Sequence, residues 1–331
     1  MLEYLSPWIQ TTNRCNLACP YCYINKDKMD MSVSTYEQIF NKLSLSIEKH
    51  QVKMVCPRLA GGEPLLVFEV WKEPVKHFKQ RLKECSLVEV ITNLTLIPEG
   101  LLEFIADGYI LLNVSLDGIE HSKPYKNGLS SAEVVLQNIR TLSEVQPEFF
   151  VMTTLSATTW EGLTKLAEYI GVHKFRWHIT LDRFYNGNPP YWRLLNTLKE
   201  VILVLKEADY PLGKLQFNFC GIEPNGGCHM GKELFAIYTD GTIFPCHTLF
   251  HTKPSGSVWE SRDLIDFLAV DAKRVLSKDC QSCSLMEVCC GDCPLYSETA
   301  KQYGFCQLAK GFLLTLVENT LEKYKEVLNA K

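Results

Sequence analysis

Between residues 14 and 23 the chain reads RCNLACPYCY, with cysteines at 15, 19 and 22. Spacings of four and three would line these thiols along one face of a helix, and a buried stripe of small apolar side chains would then account for them. Pro20 stands inside the run. It has no N–H and its ring clashes with the preceding turn, so a loop after the first strand is expected, with the thiols gathered by loop geometry. A structural zinc site takes four ligands, and the next cysteine, Cys56, lies 34 residues beyond Cys22 without a paired spacing. Three thiolates satisfy three irons of a cubane cluster and leave the fourth open to an outside ligand. That open iron is a chemical device, because it can grip a molecule that the protein itself does not supply.

The chain has 14 cysteines, at 15, 19, 22, 56, 85, 220, 228, 246, 280, 283, 289, 290, 293 and 306. The N-terminus MLEYLSPWIQ lacks the basic, apolar and small-residue regions of a secretion signal, and no apolar run reaches the ~18–20 residues of a membrane span. A cytoplasmic protein is therefore expected, and a reducing compartment favours thiolate sites over disulfides. The empty interval from 86 to 219 separates at least two sites. A net charge of −4 and scattered lysines and arginines give a nucleic-acid surface no support.

Six strands can be read between residues 8 and 208, namely WIQTTN, KMVCPRLAG, VEVITN, YILLNVSLDG, FFVMTTLS and FRWHITLD. Amphipathic helices lie between them, one led by a Ser34-x-x-Glu37 capping box and another by Thr158-x-x-Glu161. Repeated strand–helix units predict an α/β fold with a parallel sheet, and six units suit a partial (β/α)6 TIM-like barrel. FRWHITLD alternates strictly, with Arg176, His178, Thr180 and Asp182 on one side; LNVSLDG does the same with Asn113, Ser115 and Asp117. With helices outside, such polar faces would line an unfilled lumen, whereas a packed barrel holds branched aliphatics there. A half-solvated antiparallel sheet is the alternative, and the intervening helices oppose it. After a Gly/Pro-rich break near residues 186–212, Asp240-Gly241 predicts a tight primed-turn hairpin, and a C-terminal helix over 308–328 is expected to bury Leu313, Leu316, Val317, Leu321, Tyr324 and Leu328. The expected domains are 1–208, 209–310 and 311–331.

Cys15-x3-Cys19-x2-Cys22, with Tyr21 before the last cysteine, resembles the signature of the radical S-adenosylmethionine (SAM) superfamily. Gly61-Gly62-Glu63-Pro64 after the second strand, Ile91-Thr92-Asn93 after the third and Ser115-Leu116-Asp117-Gly118 after the fourth match the same family. The resemblance implies a 4Fe-4S cluster on Cys15, Cys19 and Cys22 whose open iron chelates SAM. SAM contacts would come from Tyr21, Gly61, Gly62, Glu63, Asn93, Ser115 and Asp117. An electron from a flavodoxin- or ferredoxin-type donor would cleave SAM to a 5′-deoxyadenosyl radical that takes hydrogen from the substrate. Leu94 stands where the family often has glycine, and Lys123 or Lys126 could replace an arginine near the SAM carboxylate.

Cys228, Gly241, Cys246, Cys280-x2-Cys283-x5-Cys289-x3-Cys293 and Cys306 resemble the seven-cysteine pattern of the SPASM domain. By that resemblance two auxiliary 4Fe-4S clusters are expected, making three in all. One would sit on Cys280, Cys283, Cys289 and Cys306, the other on Cys228, Cys246 and Cys293 with Cys220 as fourth ligand or with an open iron. Read without the family, Cys280-x2-Cys283 could begin a zinc ribbon. Cys56 and Cys85 are expected as buried small hydrophobes, and Cys290 as structural.

SPASM proteins mostly act on peptides or proteins, so the resemblance implies a precursor peptide or protein substrate and a crosslink, epimerisation or backbone excision. With the first cluster cysteine at residue 15, a separate peptide-recognition protein is expected to deliver a ribosomal precursor. Sulfatase maturation is an alternative; there an aspartate follows the Gly-x4-Cys cysteine and acts as base, whereas this chain has His247. A histidine can serve as base at its ordinary pKa, and a surface histidine without a role fits equally. From another class come a non-catalytic iron–sulfur electron carrier and a zinc-stabilised interaction module, neither of which gives a reason for the GGEP segment.

Overall fold

A computed structural model describes residues 3–120, 122–182, 190–218, 231, 233–250, 252–268, 282–283, 307–308 and 310–319. The chain divides into two compact units: Met1–Ser115 with Pro124–Phe149 and His229–Lys273, and Leu116–Lys123 with Phe150–Cys228 and Arg274–Lys331.

In the first unit, strands β1 (Tyr4–Thr12), β3 (Arg58–Gly61), β4 (Glu89–Thr92) and β5 (Leu111–Ser115) pair in parallel, with β2 (Met54–Val55) extending the start of β1. Helices α1 (Val33–His50), α2 (Phe68–Leu82) and α3 (Leu101–Ala106) are the crossovers, and α4 (Ala132–Val145) follows β5. The apolar face is fully buried: Leu5, Ile9, Leu59, Val90, Leu112 and Val114, with Tyr36, Ile39 and Leu43 of α1 and Trp71 and Val75 of α2. Removing this apolar face from water favours the fold by about 25 cal/mol per Å². Ser6, Trp8 and Gln10 occupy the opposite face of β1. Strand β9 (Leu234–Ile237) adds to the free edge of β1 in parallel, and β10 (Thr242–Phe244) and β11 (Gly256–Ser257) continue antiparallel.

In the second unit β6 (Phe150–Leu155), β7 (Arg176–Leu181) and β8 (Leu215–Asn218) form a parallel trio, linked by α5 (Leu163–His173) and α6 (Tyr191–Glu207). The alternation read in FRWHITLD holds as far as Thr180, with Trp177 and Ile179 fully buried and His178 and Thr180 half-buried; it fails at the strand end, where Leu181 is half-buried and Asp182 is buried. Trp177 Nε1 donates to Thr153 Oγ1 at 2.8 Å. All six expected strands are present, and β8 and β11 were not anticipated, being short and weakly patterned.

Several local expectations are corrected. The N-cap of α1 is Ser32, whose Oγ accepts the Thr35 N–H at 3.2 Å, so Ser34 already lies within the first turn. Before α5 a 3-10 turn, Trp160–Gly162, replaces the expected cap at Thr158. There Thr159 Oγ1 donates to the Thr154 carbonyl at 2.6 Å and accepts the Ser156 N–H at 2.8 Å, so the threonine closes the strand exit instead of capping the helix. At the hairpin only Gly241 has positive φ (+87°). Gly241 N–H donates to Tyr238 O and Tyr238 N–H to Thr242 O, which is an ordinary turn followed by a glycine bulge rather than a primed turn. In the helix over 310–319 the buried residues are Phe312 and Thr315, while Val317 is exposed. Its phase is set by Gly311, where an added Cβ would lie 2.5 Å from Leu195 Cδ2, and by Phe312 against Phe217 at 4.5 Å. Leu321, Tyr324 and Leu328 lie outside the described residues. Cys56 is buried as expected, but Cys85 is exposed, in the turn Lys83–Cys85 that ends α2.

Candidate functional site

Residues 13–30 leave the end of β1 as a loop closed at its neck. Asn13 N–H donates to Met29 O and Met31 N–H to Thr11 O, both at 2.9 Å. The Arg14 guanidinium forks onto Asp30, with Nε 2.8 Å from Oδ1 and Nη2 2.7 Å from Oδ2, and Thr12 Oγ1 donates to the same Oδ1 at 2.6 Å. Cys15, Cys19 and Cys22 all lie on this loop and are half-buried. The segment is not helical, as Pro20 requires; a single turn, Cys22 N–H to Cys19 O at 3.2 Å, links the second and third cysteines.

The two glycines at the end of β3, Gly61 and Gly62, are required by backbone, not by side chains. A Cβ at Gly62 would lie 2.0 Å from Arg14 O, and one at Gly61, whose φ is +140°, would lie 2.5 Å from Thr12 O. Their absence lets Gly62 N–H reach Thr12 O at 2.7 Å and Glu63 N–H reach Arg14 O at 2.9 Å, which staples the entry of the cysteine loop to the end of β3.

Glu63 is fully buried. Its Oε1 accepts from Leu65 N–H at 3.0 Å and from Thr92 Oγ1 at 2.7 Å, and its Oε2 accepts the Asn93 N–H at 2.7 Å. Three donors on one carboxylate offset the cost of burying its charge. The next link reaches the cysteines. Asn93 Nδ2 donates to Asn16 Oδ1 at 3.1 Å and points at Cys15 Sγ at 3.8 Å, while Asn93 Oδ1 accepts from Thr95 Oγ1 at 2.6 Å. Asn16 Nδ2 closes the ring onto Thr95 Oγ1 at 2.7 Å. Leu94, one residue on, has φ +49° while fully buried. The glycine common in the resembling family fits this left-handed backbone without strain, whereas leucine carries a cost there.

These contacts fit an iron–sulfur cluster on the loop. Cys15 Sγ faces the Leu17 N–H at 3.4 Å as well as Asn93, and N–H donors aimed at sulfur favour its anionic form. Burial, opposed by the Leu17 N–H, pushes the Cys15 thiol up, with smaller upward contributions from Glu63 and Cys22. A metal would therefore have to displace that proton on binding. Among the described residues no three His, Cys, Asp or Glu side chains are gathered around a single ion.

A second group of expected residues follows β10. His247 stacks on Trp8, with ring centroids 4.2 Å apart and planes 18° apart, and Tyr23 tilts against it at 5.7 Å. Cys246 Sγ lies 3.8 Å from His247 Nδ1 and 3.3 Å from Thr248 Oγ1. Tyr23 is exposed as a residue; enclosure of its hydroxyl end raises that group above its ordinary value, with Cys22 and Cys246 adding to the effect. Cys246 is thus near the cysteine loop, and Trp8, read from the sequence only as part of the first strand, lies beneath His247. The period-2 pattern Ser6, Trp8, Gln10, Thr12 was the available signal.

Ser115 ends β5 half-buried, and Tyr21 is half-buried on the loop. In the second unit Asp117 is buried; its Oδ1 accepts the Thr154 N–H at 2.9 Å and lies 3.9 Å from Lys123 Nζ. Lys126 is exposed. Cys283 is half-buried; Cys220, Cys228, Cys280, Cys289, Cys293 and Cys306 lie outside the described residues.

A family model described as the radical SAM superfamily matches residues 9–170. An uncharacterized protein of Methanocaldococcus jannaschii is 32% identical over 248 residues, 73% of this chain and 84% of that protein. A cysteine-type anaerobic sulfatase-maturating enzyme of Clostridium perfringens is 22% identical over 335 residues, covering 84% and 85%. Among solved structures, native anSMEcpe with bound AdoMet and Cp18Cys peptide superposes with a TM-score of 0.77 at 17% identity, covering 98% of this chain and 99% of that one. Streptococcus suis SuiB bound to precursor peptide SuiA gives 0.69 at 17% identity, covering 91% and 74%. At such identity these structures show a common fold. Residues 9–170 carry a radical SAM domain, and the chain is a radical SAM enzyme, a class that implies a 4Fe-4S cluster and S-adenosylmethionine. No helix among the described residues is long and apolar enough to cross a membrane.

Proposed function

We propose that this enzyme is a peptide or protein maturase in which Cys15, Cys19 and Cys22 hold the SAM-binding cluster and Tyr21, Gly61, Gly62, Glu63, Asn93, Ser115 and Asp117 form the SAM pocket. One observation carries the reading: the hydrogen-bonded chain from buried Glu63 through Asn93 to Cys15 Sγ joins the two segments that the chemistry must hold together. Cys15, Cys19 and Cys22 would hold the cluster, which would supply an open iron to chelate SAM and, once reduced by an external donor, the electron for its reductive cleavage. The chain's own residues do the positioning. The Gly61–Gly62 staple fixes the loop entry, Glu63 fixes the end of β4, and the Asn16–Asn93–Thr95 ring joins them. Cys246 and Cys283, with Cys220, Cys228, Cys280, Cys289, Cys293 and Cys306, are the proposed ligands of two auxiliary 4Fe-4S clusters. A peptide substrate is supported by the fold shared with proteins solved with Cp18Cys peptide and with SuiA. A flavodoxin- or ferredoxin-type electron donor and a separate peptide-recognition protein complete the proposal.

Anaerobic reconstitution tests it. About twelve irons per chain are expected for three cubanes, together with 5′-deoxyadenosine formation from SAM under strong reductant. Iron without SAM cleavage would leave an electron carrier. A sulfatase-maturase-like activity is the second reading, favoured by the relatives that carry that name. His247 in place of the maturases' aspartate opposes it, and a mass change at the cysteine of the Cp18Cys peptide would establish it.

A further inference from the structure

Lys26 folds back across the cysteine loop, and its Nζ donates to the Leu17 carbonyl, nine residues earlier, at 2.7 Å. Leu17 itself is firmly seated. Its side chain is buried, it pairs with Tyr125 in an isolated antiparallel bridge, and the Ala18 N–H donates to Pro124 O at 2.8 Å. Both polar ends of the peptide unit between Leu17 and Ala18 are therefore engaged, the C=O by Lys26 and the N–H by Pro124. With that unit fixed, the Leu17 N–H faces Cys15 Sγ at 3.4 Å.

The other charges of the loop are turned to different partners. Arg14 and Thr12 take Asp30, and Asp27 Oδ1 accepts from Asn13 Nδ2 and from the Met29 N–H. Lys28 is exposed, whereas Lys26 is half-buried. A carbonyl accepts the bond of an ammonium without cancelling its charge, so the loop holds a half-buried positive charge beside its thiols. That charge is felt at Cys15: burial raises this thiol, and the influences that draw it down are the Leu17 N–H and Lys26. Net charge and hydrogen bonds to the sulfurs are among the features that set the reduction potential of an iron–sulfur cluster.

We infer that Lys26 is a positioning residue of the cluster site: its tie to Leu17 holds an N–H on the first thiolate, and its charge favours the reduced, more negative cluster. The inference rests on the cluster reading above and adds a residue, outside the three cysteines, that sets how readily the site accepts its electron. In that step one electron passes from the external donor to the cluster, and no bond forms or breaks at Lys26.

Lys26→Met keeps the apolar stem and removes the ammonium. In the cluster-loaded protein, a potentiometric titration followed by electron paramagnetic resonance, reading the reduced signal that added SAM perturbs, should find the cluster about tenfold harder to reduce, about 59 mV for one electron. Lys26→Arg keeps a cation and should stay close to the wild-type potential. Lys28→Met removes the same formal charge from an exposed position and should shift it less. An unchanged potential in Lys26→Met, or an equal shift in Lys28→Met, would overturn the tuning. Hydrogen exchange of the full-length iron-free protein reads the tie separately: the Leu17 and Ala18 amides should exchange faster in Lys26→Met than in wild type, and equal rates would overturn it. A wild type that assembles no cluster on the three cysteines would sink the cluster reading and the tuning with it, whereas the exchange rates would still decide the tie.

Discussion

The end of β4 and the cysteine loop sit side by side in one unit, yet they are held in opposite ways. Glu63, Thr92 and Asn93 are buried and joined by hydrogen bonds of 2.7 Å that need nothing from outside the chain. The loop is tied at its neck, through the Asn16 ring and at Ala18, and its three thiols remain half-buried. The platform is preorganised by the fold, whereas the loop is framed by the fold and completed by what it binds. The difference separates substitutions that unfold the protein from those that only empty it.

The largest effect that would break this contrast is on chemistry. Replacing Cys15, Cys19 and Cys22 together by alanine should abolish 5′-deoxyadenosine formation and lower the iron content by about four per chain. The midpoint of denaturant unfolding of the iron-free protein should hardly move; a large loss of stability would show that the loop is part of the scaffold after all. Glu63→Gln should do the reverse. Its carboxamide turns an NH2 toward donors that need an acceptor, and about 2–4 kcal/mol of stability should be lost even without iron, read by urea unfolding. Leu94→Gly sharpens the boundary between the two. Relief of backbone strain, about 1 kcal/mol, opposes the loss of a buried leucine side chain at about 2–5, so a net destabilisation of about 1–4 kcal/mol is expected. Arg14→Ala at the neck should cost under about 1 kcal/mol, because both partners are substantially exposed, and the effect should shrink further in salt.

The smallest effect concerns protons. The Cys15 thiol is raised by burial above the ordinary 9.0. The folded iron-free protein then holds this proton more tightly than the unfolded chain does. The associated stability is present below pH 9 and is lost as pH rises through the folded value. Iodoacetamide at pH 9 should therefore label exposed Cys85 before Cys15 in the iron-free protein, and equal rates would contradict it.

Much of this was legible in the sequence because chemistry constrained it tightly. Pro20 forbade the helix over residues 15–22, and the alternation of FRWHITLD gave the two faces of β7. Glu63 and Asn93 were legible as a pair of segments, but their bond to each other was not, since it joins residues 30 apart in sequence. The glycines were read for a ligand, whereas their closest neighbours are backbone atoms of residues 12–14. Trp8 was read only as part of a strand because a short alternation does not show which ring will stack on it. The caps at Ser34 and Thr158 failed where nearby hydroxyls, Ser32 and Thr159, had better-placed backbone groups to bond.

The staple from Gly62 and Glu63 to Thr12 and Arg14 has a consequence for assembly. Because the chain entering the loop is pinned to a strand some fifty residues downstream, the thiols cannot take up their positions during synthesis until α1 and β3 have emerged and docked. For the cluster proposed above, the order expected is therefore docking of β3 first and iron–sulfur loading second.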